Sequence, residues 1–190
     1  MRIYIWREIL PLIDNLAVSR RVFNISMNDP ELSDRLGWND LVEKFHERIY
    51  AFSWHMLGAR HEAEDVTQET FLRAYRSRGR LRTSNVKAWL YSIARNACLD
   101  RQRWWKRWQI RAVNQTAEQG LVPDSQALLE LTQIIERLPV RQREVFVLRH
   151  WHGFSTLETA DLLGLSEGSV KSHLSRAVEK LKTELSCLDG

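Results

Sequence analysis

The feature that most constrains this chain is a set of helix start and stop signals near its C-terminus. Ser155 and Glu158 have the S-x-x-E spacing of a capping box, which starts a short helix. That helix places three apolar residues on one face, Leu157, Ala160 and Leu163. Gly164 ends it, because glycine adopts the left-handed C-cap conformation at little cost, and Ser166 can cap the next helix. The sequence therefore predicts two helices joined by a tight turn, preceded by a helix that begins at Pro139.

The second helix of this pair has two distinct faces. One face repeats apolar residues at the spacing of a core stripe, Val170, Leu174, Ala177, Leu181 and Leu185. The other face carries short polar and cationic side chains near the helix start, Lys171, Ser172, Ser175 and Arg176. Such side chains suit base edges and phosphates, so the segment indicates a helix-turn-helix that binds duplex DNA. The alternative is a solvated face, since basic helix faces are common in helical proteins.

Charge is distributed unevenly along the 190 residues, whose formal net charge is +4. Residues 73–111 contain twelve Lys/Arg and one acid, Asp100, whereas residues 31–72 contain nine acids and four Lys/Arg. The basic block suits phosphates. The acidic block suits a basic protein surface, or simply solvent.

Other features argue against several classes of protein. The two cysteines, Cys98 and Cys187, predict neither a disulfide framework nor a zinc site and suggest a reducing compartment. His150 and His152 are interpreted as a helix-end pair, and the chain lacks paired carboxylates, a nucleophile–base pair or a phosphate-cradling glycine loop. We therefore expect no enzyme activity, no cofactor and no metal. No run of apolar residues approaches the length of about 18 residues that a membrane-spanning helix requires.

Hydrophobic periodicity is helical almost throughout and predicts an all-α fold of two small domains. A polar stretch with Gly and Pro separates them and predicts a flexible linker over 112–124. The flanking domains are predicted over 27–111 and 125–190, and residues 1–26 are interpreted as a dispensable extension, with an amphipathic partner-binding helix as the alternative. The predicted helices cover 38–57, 61–78, 85–108, 125–137, 139–151, 156–163 and 167–185.

The acidic segment 62–76 has two faces when it is drawn as a helix. An apolar stripe consists of Val66, Thr70, Phe71 and Ala74. A second face lies within about 100° of arc and groups Asp65, Gln68, Glu69, Leu72 and Arg76. The second face is either plain surface or a docking patch, and the pattern alone favours plain surface.

The segment 87–108 predicts one long helix that interleaves aromatic and basic residues. Its expected buried stripe is Leu90, Ile93, Ala94 and Ala97. Rings stack on unpaired bases and cations hold the backbone, so the remaining face suits an opened nucleic-acid strand. The alternative is that Trp89 and Tyr91 belong to the core and that Trp104, Trp105 and Trp108 seal a domain edge.

Four segments in this order resemble the extracytoplasmic-function (group 4) sigma factors of bacterial RNA polymerase, over about residues 38–185. The matches are residues 64–76 with a D-x-x-Q-E core (region 2.2), 89–100 (regions 2.3 and 2.4), 138–149 (region 4.1) and the helix-turn-helix (region 4.2). The resemblance implies sigma-2-like and sigma-4-like helical domains. It also implies an initiation factor, rather than an enzyme, that directs polymerase to a stress- or signal-responsive regulon.

The resemblance implies a role for each surface. The coiled coil of the polymerase β′ subunit would be bound by Asp65, Gln68, Glu69, Leu72 and Arg76. The promoter −10 element would be opened and held by Leu81, Arg82, Lys87, Trp89, Tyr91, Arg95, Asn96 and Arg103, with Asn96 lining the pocket for a flipped base. The −35 element would be read in the major groove by Ser169, Lys171, Ser172, Ser175, Arg176 and Lys180.

The resemblance further implies a cytoplasmic protein whose partners are core RNA polymerase (β′ and β subunits), promoter DNA and an anti-sigma factor, often membrane-anchored. Primary sigma factors place two adjacent tryptophans in region 2.3, whereas here Leu90 follows Trp89, which implies weaker promoter melting. Two other classes stay open on the residues alone. One is a helix-turn-helix regulator that binds DNA without polymerase, and the other is an enzyme acting on nucleic acid.

Overall fold

The computed structural model describes residues 37–80, 85–109 and 133–186. Within these ranges every regular element is helical and no strand occurs, which confirms the predicted all-α fold. The described residues fall into two compact units, one up to residue 109 and the other from residue 133 onwards. The predicted N-terminal extension and the predicted linker lie outside the described residues.

Three α-helices make up the described part of the N-terminal unit, residues 37–80 and 85–109. In chain order they are α1 (Trp38–Leu57), α2 (Arg60–Ser77), which continues into a 3₁₀ turn (Arg78–Arg80), and α3 (Val86–Gln109). Gly58 ends α1 with φ 74°, a left-handed conformation that permits an immediate turn into α2. These bounds agree with the predicted helices to within a residue or two.

The core of this unit lies where the three helices face one another. Its largest fully buried side chains are Phe45, Ile49, Phe52 and Met56 from α1, with Leu90 and Tyr91 from α3. The stripe predicted on α2 is buried throughout, since Val66, Thr70, Phe71 and Ala74 all lie in the core. Thr70 is tolerated there because its hydroxyl donates to the carbonyl of Val66, 2.7 Å away.

The C-terminal unit is a helix-turn-helix packed on a preceding helical segment. In chain order it contains helical residues 133–136, α4 (Val140–Phe146), a π-helical turn (Val147–Trp151), α5 (Thr156–Leu163) and α6 (Glu167–Ser186). Its core includes Ile135, Val145, Leu148, Phe154, Val170, Ala177 and Leu181, all at most 1% exposed.

The capping signals of the helix-turn-helix are confirmed atom by atom. Ser155 Oγ accepts from the Glu158 N–H at 3.1 Å, and the Glu158 carboxylate accepts from the Ser155 N–H at 2.7 Å. Gly164 ends α5 with φ 64° and ψ 43°. Ser166 Oγ accepts from the Ser169 N–H at 3.1 Å, so it caps α6 as expected.

The helix predicted over 139–151 is present over 140–151. It is α-helical to Phe146 and then widens into a π turn, with the His152 N–H bonded to the carbonyl of Val147. One local expectation in this unit is wrong. Leu157 is 57% exposed and does not belong to the core face of α5, which consists of Thr159, Ala160 and Leu163. The buried face of α5 therefore contains Thr159 in place of the predicted Leu157.

Candidate functional site

The acidic face of α2 is presented to solvent by the burial of its opposite stripe. Four of its five residues are exposed and Glu69 is half-buried. Leu72 is 52% exposed, although the apolar stripe of the same helix, with Val66, Phe71 and Ala74, is in the core. The predicted docking residues are thus on one accessible surface, Asp65, Gln68, Glu69, Leu72 and Arg76.

Ion pairs hold the carboxylates of this surface in place. Arg101 of α3 reaches Asp65 at 3.0 Å, and Arg73 lies 2.6 Å from Glu69 one turn away on α2. The Arg73–Glu69 pair is exposed on both sides, so its net contribution to stability is small.

Sequence reasoning missed a buried carboxylate beneath this surface. Glu62 is 6% exposed, lies 2.6 Å from Arg101 and accepts a hydrogen bond from Trp105 Nε1 at 3.1 Å. This node joins the start of α2 to the C-terminal half of α3. The sequence did contain one signal for the burial of Glu62. Its position one turn before Val66 places it at the edge of the buried arc of α2.

A groove of about 550 Å³ runs between α2 and α3 beside these ion pairs. Its α2 wall carries four of the five predicted docking residues, Asp65, Gln68, Glu69 and Leu72. Its α3 wall carries Asp100, Arg101 and Trp104. The groove therefore contains part of the aromatic segment for which the sequence patterns gave no clear role.

The exposed side of α3 aligns three of the predicted strand-binding residues. Trp89, Asn96 and Arg103 recur every seven residues, so they lie within about 40° of arc on one face. Trp89 is half-buried, Asn96 is exposed and the Arg103 side chain is 71% exposed. Arg95 lies about 100° to the side of this line and Lys87 lies on the opposite side of the helix; both are half-buried, and the Arg95 guanidinium donates to the Asn96 side-chain oxygen at 3.4 Å.

Tyr91 does not belong to this strand-binding face. It is 1% exposed and packs edge-to-face on Phe52 with 5.3 Å between ring centroids, and burial raises its pKa. The prediction that Tyr91 contacts DNA is therefore wrong for this fold, and the alternative assignment to the core is correct. Two other predicted contacts, Leu81 and Arg82, lie outside the described residues.

The tryptophans at the end of α3 differ from one another. Trp105 is half-buried and hydrogen-bonded to Glu62, which matches the expectation of packing at a domain edge. Trp104 is 42% exposed and meets Trp105 edge-to-face at 5.5 Å and 85°. The Trp108 side chain lies outside the described residues.

In the C-terminal unit, α6 buries one face and presents the other. Val170, Ala177 and Leu181 are fully buried against α4 and α5. Four predicted DNA-reading side chains are exposed on the first three turns, Lys171, Ser172, Ser175 and Arg176. This is the accessible face that a recognition helix needs.

Two other predicted −35 contacts are placed differently. Ser169 is half-buried, and its hydroxyl lies 2.9 Å from Ser166 Oγ within the N-terminal cap of α6. Lys180 is half-buried, and its ammonium donates to the carbonyl of Arg137 at 3.3 Å. Both side chains thus make contacts within the unit, and neither belongs to the exposed group of Lys171, Ser172, Ser175 and Arg176.

Neither a metal-binding cluster nor a membrane-spanning helix occurs among residues 37–80, 85–109 and 133–186. No group of three or more His, Cys, Asp or Glu side chains in these ranges is arranged to hold a metal ion. His150 and His152 are both buried, and burial lowers the pKa of His150 to about 4. Over the same ranges, no helix combines the length and the apolar character that crossing a bilayer requires.

Comparison with known proteins assigns both units. Residues 41–108 match the model of Sigma-70 region 2, and residues 128–181 match that of Sigma-70, region 4. The chain is 32% identical over 161 residues to the ECF RNA polymerase sigma factor SigM of Mycobacterium tuberculosis, covering 82% of this chain and 81% of that protein. The chain belongs to the ECF RNA polymerase sigma factors. It is therefore an alternative sigma factor that directs transcription initiation.

Other relatives of this sigma factor cover nearly its whole length. It is 29% identical over 187 residues to SigW of Bacillus subtilis, which spans 90% of this chain and 97% of that protein. Among solved structures, the sigma factor RpoE of Bartonella quintana, crystallised with the anti-sigma factor NepR, has a TM-score of 0.68 at 27% identity, covering 80% of this chain and 98% of RpoE. CnrH in complex with the cytosolic domain of CnrY has a TM-score of 0.65 at 23% identity, a likeness of fold.

Proposed function

We propose that this sigma factor brings core RNA polymerase to promoters by reading the −35 element with α6 and holding an opened −10 strand on α3. The observation that carries the proposal is the recognition face of α6, where Lys171, Ser172, Ser175 and Arg176 are all exposed on a firmly packed helix. Serine hydroxyls and a guanidinium at a helix start can reach base edges and phosphates in the major groove.

The docking partner that fits α2 is a basic surface of the core enzyme, the coiled coil of the β′ subunit. Asp65, Gln68 and Glu69 present two carboxylates and an amide along one accessible line. Leu72 adds an exposed apolar contact at its end. Polar groups of this kind set orientation and partner choice, and an apolar side chain that becomes covered adds affinity.

The opened −10 strand fits the line of Trp89, Asn96 and Arg103 on α3. A ring that stacks on an unpaired base contributes roughly 1–3 kcal/mol, and an arginine holds the adjacent backbone. Asn96 is exposed, and its amide can pair with the edge of a flipped base. With Tyr91 in the core, Trp89 is the remaining predicted ring on this face among the described residues.

The protein's contribution is positioning, and the polymerase supplies the bond chemistry. Two tethered DNA contacts raise each other's effective concentration, so neither element needs to be bound tightly alone. We further propose a cytoplasmic group 4 factor that is held inactive by an anti-sigma factor. The crystallisation of the similar RpoE with its anti-sigma factor NepR supports that regulation.

The experiment is run-off transcription on fragmented genomic DNA from the source organism, using bacterial core polymerase with and without the protein. Discrete transcripts that require the protein are expected, and their upstream sequences should share a −10 and a −35 element. Transcripts that are unchanged by the protein, together with no core binding in a pull-down, would indicate a DNA-binding regulator that acts without polymerase.

A further inference from the structure

The groove between α2 and α3 is lined by an exposed apolar side chain on each wall, and the docking residues on α2 account for only one of them. Leu72 lies on the α2 wall and Trp104 on the α3 wall, at 52% and 42% exposure. Among the described residues four large apolar side chains are exposed, and two of them line this one groove. Such a pair is typical of a contact that another molecule covers.

Trp104 is held ready for such a contact by the packing beneath it. Its ring meets Trp105 edge-to-face, and Trp105 is anchored through Nε1 to the buried carboxylate of Glu62. Arg101 joins the same carboxylate at 2.6 Å. An aromatic side chain that is fixed before binding loses little conformational entropy when a partner covers it.

The charge of the groove selects the partner. Its walls carry three carboxylates, Asp65, Glu69 and Asp100, against two guanidiniums, Arg73 and Arg101, which leaves one negative charge in excess. The neighbouring side chains leave this excess unchanged, because Glu62 beside Arg101 adds one carboxylate and Arg103 beside Asp100 adds one guanidinium. A strand of DNA would be repelled, whereas a protein helix with basic and apolar side chains fits.

We propose that Trp104 is an anchor of the polymerase interface, and that the β′ coiled coil occupies the whole α2–α3 groove rather than the α2 face alone. This inference rests on the proposed function and deepens it, because the groove is continuous with Asp65, Gln68 and Glu69. A basic side chain of the coiled coil meets the carboxylates. Apolar side chains of it cover Leu72 on one wall and Trp104 on the other, which gives the aromatic end of α3 its role.

The test is the affinity of the full-length protein for purified bacterial core RNA polymerase. Trp104→Ala should weaken binding at least tenfold, as expected for an aromatic hot spot near the centre of an interface, and Trp104→Phe should recover most of the loss. Tyr75→Ala is the matched control, because Tyr75 is 46% exposed on the same unit and does not line the groove. It should bind core as the wild type does, and circular dichroism should show equal helix content in all variants.

A reference variant separates this inference from the proposed function. Asp65→Ala combined with Glu69→Ala should weaken core binding and leave binding of a −35 duplex unchanged. If that double variant binds weakly while Trp104→Ala binds normally, docking on α2 stands and the role of Trp104 is wrong. If both variants bind core normally, the docking surface itself is wrong.

A photo-crosslink identifies the occupant. With p-benzoylphenylalanine at position 104, irradiation of the holoenzyme should join the sigma factor to the β′ subunit. The same group at position 75 should give much less product. Crosslinking from position 104 to another subunit or to promoter DNA would overturn the proposal, as would a Trp104→Ala variant that loses binding to an anti-sigma factor but keeps core affinity.

Discussion

Gly164 offers the sharpest test of how the helix-turn-helix is built. It ends α5 with φ 64°, in the left-handed region where an L side chain costs about 1–2 kcal/mol. A Cβ placed there would meet no heavy atom of the surrounding structure within 4 Å, so tertiary contacts add nothing to this local backbone cost. Gly164→Ala should therefore lower the unfolding free energy of the C-terminal unit by about 1–2 kcal/mol through backbone conformation alone.

Gly168→Ala is the matched control, because it adds the same methyl group four residues later. Gly168 lies within α6, and its Cβ would make ordinary contact with Ser166 Oγ at 3.9 Å. Alanine favours the helix over glycine and restricts the unfolded chain, so this variant should be more stable by roughly 0.5–1 kcal/mol. The two variants should differ by about 2 kcal/mol, with opposite signs relative to the wild type.

Hydrogen exchange of the full-length protein, followed by mass spectrometry, measures both changes locally. A free-energy difference of about 1.4 kcal/mol changes an equilibrium constant tenfold. Amides of α5 and α6 that exchange through opening of the unit should therefore exchange faster in Gly164→Ala, by a factor of several to more than ten. The same amides should exchange more slowly in Gly168→Ala. Equal or same-sign shifts would refute the conformational explanation of the turn.

Three further predictions concern named contacts. Arg176→Ala should cost about 1–3 kcal/mol at one −35 base pair if its guanidinium reads a base, measured by promoter competition, whereas uniform weakening across sequences would make it a phosphate contact. Glu62→Ala should lower the unfolding free energy of the N-terminal unit by about 1–3 kcal/mol in urea titrations, because it leaves Arg101 and Trp105 without their shared partner, and Glu62→Gln should lose less. Burial lowers the pKa of His150 to about 4, so the unfolded state binds the proton first as the pH falls below 6.5. This group should remove roughly 3 kcal/mol of stability from the C-terminal unit between pH 6.5 and 4 and none above pH 6.5, and a His150→Gln variant with unchanged pH dependence would contradict that.

Some features of this protein are formed by residues close together in the chain, and these could be predicted from the sequence alone. The capping box at Ser155, the left-handed cap at Gly164 and the cap at Ser166 each involve residues within one turn of the chain. Helical periodicity likewise placed α1, α2, α5 and α6 to within a residue or two. Short-range hydrogen bonds and backbone preferences decide these features, so they do not depend on what packs against them.

The extent of each buried arc could be decided only by tertiary packing. α3 lies against both α1 and α2, so its buried arc is wide enough to include Tyr91, whereas the predicted stripe consisted of Leu90, Ile93, Ala94 and Ala97. The spacing of Tyr91, Ala94 and Cys98 at i, i+3 and i+7 was the available signal. On α5 the converse holds, because no described residue of its unit covers Leu157.

Contacts between residues far apart in the sequence could not be predicted from a sequence pattern either. Glu62 finds Arg101 and Trp105 some 40 residues along the chain, and the Lys180 ammonium finds the carbonyl of Arg137. Trp104 and Trp105 are adjacent and have similar neighbours in sequence. Trp105 is hydrogen-bonded to a buried carboxylate, whereas Trp104 lines an open groove. Periodicity says which residues share a face of a helix, and only the packing of helices determines which face is covered and which remains for a partner.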